Sequence, residues 1–284
     1  MTEVVLTGPP ALAPLLARGA VRSPFKRPRP DAAFPPDRLV LRGVRADAAR
    51  LARYERVCGF PAGADVLPVT YPQVLAFPLA MRLMSDPVFP LPLLGLVHTS
   101  IALARHRPLP ADGEYELAVQ VAGLAPHHRG TEATVVTEAR LGGAVVWEST
   151  STYLARHTGG QGGPDGQGGP GRAVGRTDAG PLPVREEWRL GADAGRRYAA
   201  ASGDRNPIHL SAPTARLFGF PRTVAHGMWT AARCLAAFGA AERVRVEFRA
   251  PVLLPGTVEF AAGESCFELR GGGRVCLAGT VRGW

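Results

Sequence analysis

The sequence predicts an α+β chain built from two similar halves, and three observations carry that expectation. Each half reads as a short helix, a longer apolar helix and then several segments alternating apolar and polar residues at period two. Parts of the first half recur in the second. Ala46-Asp47-Ala48-Ala49-Arg50, with Tyr54, Cys58, Gly59 and Phe60 after it, parallels Ala192-Asp193-Ala194-Gly195-Arg196, with Tyr198, Ser202, Gly203 and Asp204. Pro108, Gly113, Glu116 and Leu117 parallel Pro251, Gly256, Glu259 and Phe260 at one fixed offset. Finally, 284 residues suit two units of about 140, each able to bury a core.

Taken in order, residues 1–36 form a Pro/Arg-rich lead-in. Ala11–Ala20 is weakly helix-capable, interrupted by Pro14 and Gly19, and the basic tract after it is broken into extended pieces by Pro24, Pro28, Pro30, Pro35 and Pro36. An ordered lead-in packed on the domain is expected. Residues 37–157 form the first unit, with strands near Leu96–Ala104, Glu114–Val121, Glu132–Leu141 and Ala144–Leu154. Residues 158–181 are Gly- and Pro-rich with almost nothing apolar to bury, which reads as a linker; they contain no phosphate-loop pattern. Residues 182–284 form the second unit. Met228, Ala231, Ala232, Leu235, Ala236 and Phe238 give near-helical spacing for a buried helix, and strands are expected at Val244–Phe248, Thr257–Glu264, Cys266–Leu269 and Val275–Arg282.

Composition narrows the function classes. The net charge is +9, yet Lys26 is the only lysine and the arginines are dispersed among apolar residues, so a solvated surface is expected and no nucleic-acid motif stands out. Cys58, Cys234, Cys266 and Cys276 lack C-x-x-C spacing and partnering histidines, so no metal site is expected. Cys266 and Cys276 could face one another across a hairpin turning at Gly271-Gly272-Gly273, but reduced thiols are the expectation. No leader pattern and no membrane span of about 18 apolar residues is visible, which points to the cytoplasm.

The chemistry concentrates in residues 198–228. Asp204 and His209 stand five positions apart in a turn between two helix-like segments, stiffened by Pro207. An acid and an imidazole on a rigid link suit proton transfer. Ala225-His226-Gly227-Met228 opens the long apolar helix, making the Gly227 amide a candidate oxyanion donor. Singly, these are a helix end with an N-cap, a core histidine and an ordinary helix start; their conjunction in one short stretch favours a catalytic reading. Tyr198, beside Ala199, Ala200 and Ala201, is expected in the core, and the adjacent His127 and His128 are expected to diverge.

Tyr198, Ser202-Gly203-Asp204, Asn206-Pro207-Ile208-His209, Gly219-Phe220 and Ala225-His226-Gly227-Met228 resemble the signature of the MaoC-like, or hydratase 2, proteins. The resemblance is strong over about residues 185–284 and weak before them. It implies a double hot-dog, two tandem units each with a long helix wrapped by an antiparallel sheet. It also implies reversible hydration of trans-2-enoyl thioesters to (R)-3-hydroxyacyl thioesters without a cofactor. On it, Asp204, His209 and Gly227 are the expected catalytic groups, and Ser202, Asn206 and His226 are expected to bind or orient substrate. Arg205 or Arg222 could meet the phosphates of coenzyme A, although a surface arginine is the default. In the first half Phe60 stands in place of Asp204, Ala76-Phe77-Pro78-Leu79 is matched with Ala225-His226-Gly227-Met228, and no histidine lies in Pro61–Thr70. The first unit therefore reads as a non-catalytic hot-dog and the second as the catalytic one.

The expected partner is an acyl-CoA or acyl-carrier-protein thioester, with neither nucleic acid nor membrane. Two fused copies make an internal pseudo-dimer, and a homodimer of whole chains stays open. Three alternatives are a carrier-protein dehydratase of fatty-acid or polyketide elongation, a non-catalytic acyl-thioester-binding subunit, and a thioesterase; the last is disfavoured by the signature.

Overall fold

A computed structural model of the protein describes residues 2–157, 181–239 and 241–282. The expected linker lies outside the described residues, apart from its last residue. The first half runs β1 (Thr2–Leu6), α1 (Leu12–Arg22), β2 (Asp37–Val44), α2 (Ala48–Cys58), α3 (Tyr71–Met84), β3 (Val97–Arg105), β4 (Tyr115–His127), β5 (Gly130–Leu141) and β6 (Ala144–Arg156). The second runs β7 (Val184–Leu190), α4 (Ala194–Ser202), α5 (Ala212–Leu217), β8 (Thr223–Val224), α6 (Gly227–Phe238), β9 (Arg243–Phe248), β10 (Leu253–Leu254), β11 (Gly256–Ala262), β12 (Cys266–Gly271) and β13 (Arg274–Arg282). Short 3-10 turns cover Ser23–Phe25 and Pro207–His209. No helix among the described residues is long and apolar enough to cross a membrane.

Each half repeats one strand order. The first orders its strands β2-β4-β5-β6-β3 and the second β7-β11-β12-β13-β9, so in both the first strand lies beside the third and the second closes the far side. The second half adds the turn at Pro207–His209, α5 and the two-stranded β8–β10 ladder. By contacts the chain forms two compact units. One comprises residues 2–45, 75–101 and 113–157; the other comprises 46–74, 102–112 and the described residues from 181 onward.

In the first unit, β4 and β5 alternate inward and outward residues, which buries Leu117, Val119, Val135 and Ala139, the last opposite Trp147 of β6. The lead-in is ordered, and more regular than its prolines suggest. β1 pairs parallel with β2, and α1 tolerates Pro14 because a proline in the first turn forgoes no helical hydrogen bond. Lys26 Nζ donates to the carbonyls of Asp86, Pro87 and Phe89, so the sole lysine ties the lead-in to the loop after α3.

The second unit packs α6 on its sheet through small residues. Ala231, Ala232, Cys234 and Leu235 are buried, and Phe238 meets Phe267 of β12 at 5.5 Å between ring centroids. A Cβ at Gly279 would come within 2.2 Å of the Phe267 ring, so β13 carries no side chain there. Trp188 stacks on Phe260 at 5.3 Å, with the Arg233 guanidinium 4.7 Å over the Trp188 ring.

Two sequence expectations, on the first long helix and on His127 and His128, are corrected, and one possibility, the facing of Cys266 and Cys276, is excluded. The first half's long helix begins at Tyr71, placing Pro78 inside it; the helix-start counterparts of His226 and Gly227 are thus Thr70 and Tyr71, not Phe77 and Pro78. Proline can sit in a helix when tertiary packing outweighs the lost hydrogen bond, so its presence did not mark the boundary. Cys266 pairs with Thr280 across the β12–β13 hairpin and does not face Cys276, because the hairpin register is set by the turn at Gly271 and Arg274. His127 and His128 do not diverge. Their ring centroids lie 4.2 Å apart at the β4–β5 turn, where the His127 Nδ1 accepts from the Arg129 amide.

Candidate active site

The site is assembled by the segment joining α4 to α6. Gly203 ends α4 in the left-handed region at φ 85°, as Gly59 ends α2 at φ 83°; glycine adopts this conformation without a Cβ penalty. The chain then reverses into Asp204. Its amide donates to Ser202 Oγ at 3.2 Å, and its Oδ1 accepts the Asn206 amide at 3.1 Å. Asn206 in turn caps the 3-10 turn, its Oδ1 accepting the Ile208 amide at 3.4 Å. Short polar side chains that bond backbone two residues ahead make a rigid local turn. This fixes the five-residue spacing of Asp204 and His209.

His209 closes that turn against α4. A Cβ on Gly195 would lie 2.1 Å from the His209 carbonyl oxygen, so only glycine permits this approach. The first-half counterpart is Ala49, which has no such turn to accommodate. The buried His209 ring is held from the far side by Val224, whose carbonyl oxygen lies 2.7 Å from Nδ1. Val224 is itself fixed in the β8–β10 ladder opposite Leu253.

His226 precedes α6 and is 2% exposed. Its Nε2 is 3.0 Å from the backbone oxygen of Asp204. Its ring stacks on His209 with centroids 3.7 Å apart, and Tyr198 covers it at 4.8 Å. Tyr198 is core, as expected.

A carbonyl oxygen can only accept, so both tautomers follow from geometry. His209 carries its proton on Nδ1, which leaves a lone pair on Nε2. His226 carries its proton on Nε2, leaving Nδ1 buried without a hydrogen-bond partner among the described residues. Burial lowers the His209 pKa against the opposing pull of Asp204 and the Val224 carbonyl. Burial, aided by His209, lowers that of His226 from 6.5 to about 3. Both rings are therefore neutral near pH 7.

One oxygen of Asp204 and one nitrogen of each histidine lie within 4.8 Å of one another, with Asp204 half-buried and both rings buried. These donor types can hold a divalent metal, but stacked rings cannot converge on one. A metal midway between rings 3.7 Å apart would sit well out of both ring planes, whereas imidazole binds metals in its plane. The arrangement suits proton transfer across a small polar gap. At its edge, Gly227 begins α6, so its amide is among those with no acceptor within the helix and lies at the positive end of the helix dipole. Gly227 is half-buried, while Val224, Ala225 and His226 before it are buried.

The expected residues thus come together, but Ser202 and Asn206 contact backbone of the turn itself. Arg205 is exposed, and Arg222 donates to the Pro255 carbonyl at 2.7 Å. The sequence reading missed Gly195 and the Val224 carbonyl. The change from Ala49 to Gly195 between the repeats was a visible signal for the first; a backbone acceptor leaves none.

The MaoC like domain model matches residues 177–266. The chain is 34% identical to 3-hydroxyacyl-thioester dehydratase X of Mycobacterium tuberculosis, over 98% of this chain and 96% of the relative. Dehydratase Y of the same organism is also 34% identical, over 48% of this chain and 47% of its own. The crystal structure of HtdX from Mycobacterium tuberculosis superposes with a TM-score of 0.74 at 32% identity, covering 87% of this chain and 100% of that one. A MaoC-like dehydratase from Phytophthora capsici shares the fold at a TM-score of 0.67 and 16% identity. The repeated strand order around a long helix is the double hot-dog expected from the sequence. With 34% identity to a dehydratase along nearly the whole chain added to the acid–histidine turn at the head of that helix, the chain belongs to the MaoC-like dehydratase family.

Proposed function

We propose that the protein is a hydro-lyase that reversibly hydrates trans-2-enoyl thioesters to (R)-3-hydroxyacyl thioesters. The observation carrying the reading is the pairing of the Asp204 carboxylate with a neutral His209 whose Nε2 lone pair is left available by the Val224 carbonyl. The relative aligned along almost the entire chain is named a 3-hydroxyacyl-thioester dehydratase, which supports the same chemistry.

In the hydration direction Asp204 and His209 hold one water. The proton it loses as its oxygen bonds Cβ passes to the pair and is delivered to Cα, so OH and H are both accounted for. Dehydration runs the same transfers backwards: the pair takes the Cα proton and returns it to the departing hydroxyl. Charge develops on the thioester oxygen, where the Gly227 amide donates. Ser202, Asn206 and His226 serve by holding Asp204 through its amide, its carboxylate and its carbonyl, a role their short-range partners support. The thioester is carried on coenzyme A or on an acyl carrier protein. A reducing cytoplasm is the proposed setting, which four free thiols suit.

The test measures loss of enoyl-thioester absorbance with short and long trans-2-enoyl-CoAs and matching carrier-protein thioesters, with Asp204→Asn as control. Loss that requires Asp204 is expected. Binding without turnover on either carrier would replace the enzyme by an acyl-binding subunit.

A further inference from the structure

The segment that bears Asp204 is held by a side chain from the repeat whose own connection, Gly59–Thr70, has Phe60 in place of Asp204 and no histidine. We propose that Arg50, on α2, is a positioning residue for Asp204, gripping the end of α4 from which the catalytic turn departs. The last carbonyls of a helix have no partner within it. At the end of α4 two of them point at Arg50: Nε donates to Ala201 O at 2.7 Å and Nη2 to Ser202 O at 2.6 Å. A planar guanidinium can bridge two acceptors in fixed geometry, and its positive charge lies at the negative end of the α4 dipole. Arg50 is anchored in turn, since its amide donates to the Asp47 carboxylate that caps α2 at 2.7 Å.

The grip matters because Asp204 stands only two residues past Ser202. Ser202 is held by its carbonyl to Arg50, and its hydroxyl accepts the Asp204 amide. Only Gly203 intervenes, and glycine has the widest backbone freedom. Without a fixed Ser202 the left-handed turn is free to tilt, and Asp204 would move relative to His209, which is independently held to Val224. A misplacement of about 1 Å between reacting groups costs on the order of a hundredfold in rate. Among the described residues the repeat-equivalent Arg196 makes one longer contact, its Nη1 donating to Leu210 O at 3.3 Å, exposed to solvent. The first repeat therefore keeps a part in the reaction although it carries no reacting group.

The proposal rests on the hydratase reading, and its test separates the two. Arg50→Gln and Arg50→Lys are compared with the unaltered protein and with Arg42→Gln, which removes an exposed ion pair to Glu116. A fall in kcat of about tenfold or more is expected for Arg50→Gln, with KM changed less than about twofold, because the group acts through Asp204 and not on substrate binding. Arg50→Lys, restoring one donor and the charge, is expected to recover part of the loss, and Arg42→Gln is expected to leave kcat unchanged. Deuterium exchange at 201–206 is expected to accelerate in Arg50→Gln while 227–238 stays as in the parent. Unchanged kcat in a protein that needs Asp204 overturns the proposal, as does unchanged exchange at 201–206. If the parent turns over no thioester the hydratase reading fails, and the exchange experiment alone decides whether Arg50 holds the turn. Should Arg50→Gln fail to fold, Arg50→Lys carries both measurements.

Discussion

The connections after the first helix of each repeat start alike and end differently. Both leave a helix through a left-handed glycine, Gly59 or Gly203, and both finish at a long helix, α3 or α6. The second connection is twice the length of the first. In the first, Phe60 stacks near Tyr54 at 6.4 Å, Tyr71 meets Tyr54 edge-on at 5.1 Å, and the Tyr54 hydroxyl donates to Thr70 at 2.7 Å. In the second, Tyr198 takes the place of Tyr54, but Asp204, His226 and Gly227 replace Phe60, Thr70 and Tyr71, and the added length supplies His209 and Val224. One version brings aromatic rings together; the other brings together a carboxylate and two imidazoles beside the first amide of a helix. Similar scaffolds thus present different groups through a single loop, while the strands and long helices keep their order.

Breaking the second version at its proposed reacting groups has the largest expected effect. Asp204→Asn or His209→Gln should reduce turnover about 10²–10⁴-fold, read from enoyl-thioester absorbance, with thermal unfolding near that of the parent for Asp204→Asn. Gly227→Pro comes next. Proline is accepted at the first helical position but has no N–H, so kcat should fall about 10²–10³-fold with the helical circular dichroism retained.

The buried histidines of the second connection give a pH signature that the first connection, which has no histidine between Gly59 and Tyr71, does not share. In the proposed role His209 must be neutral to accept a proton, and its pKa is lowered from 6.5, so activity should persist as pH falls through 6.5 and decline only at lower pH. For His226 the folded value of about 3 lies below the ordinary 6.5. The unfolded chain then takes up a proton that the folded chain refuses, and stability should fall as pH drops from 6.5 towards 3. His226→Gln should lose less stability than the parent between pH 7 and pH 5 in urea unfolding, although it is less stable at pH 7. The smallest expected effect is on the first repeat itself. Phe60→Asp in an Asp204→Asn background should restore no turnover, since the connection at 61–70 holds no histidine, and should lower the urea midpoint by an amount worth about 1–3 kcal/mol.

Much of the fold was legible because strands and buried helices write their burial into periodicity. The eight strands expected from alternation all appear, and α6 begins at Gly227 as the apolar run indicates. The strand β1 escaped notice, since five residues in a Pro-rich context carry little pattern and their partner is β2, far along the chain. Matching Ala76-Phe77-Pro78-Leu79 with the start of α6 misplaces the first repeat's helix start, because Pro78 lies within α3. At the site, Asp204, His209, His226 and Gly227 were visible as residue types at fixed spacing within one stretch.

The sequence by itself determined the repeat, the acid–imidazole spacing and the glycine at the helix start, because each depends on neighbours a few residues away. Only the tertiary structure decided which nitrogen of each histidine bears the proton, that the two rings stack, and that Arg50 reaches Ser202 from the other repeat. Those depend on backbone carbonyls, which every residue has and no side chain announces, and on contacts between segments that the sequence keeps far apart.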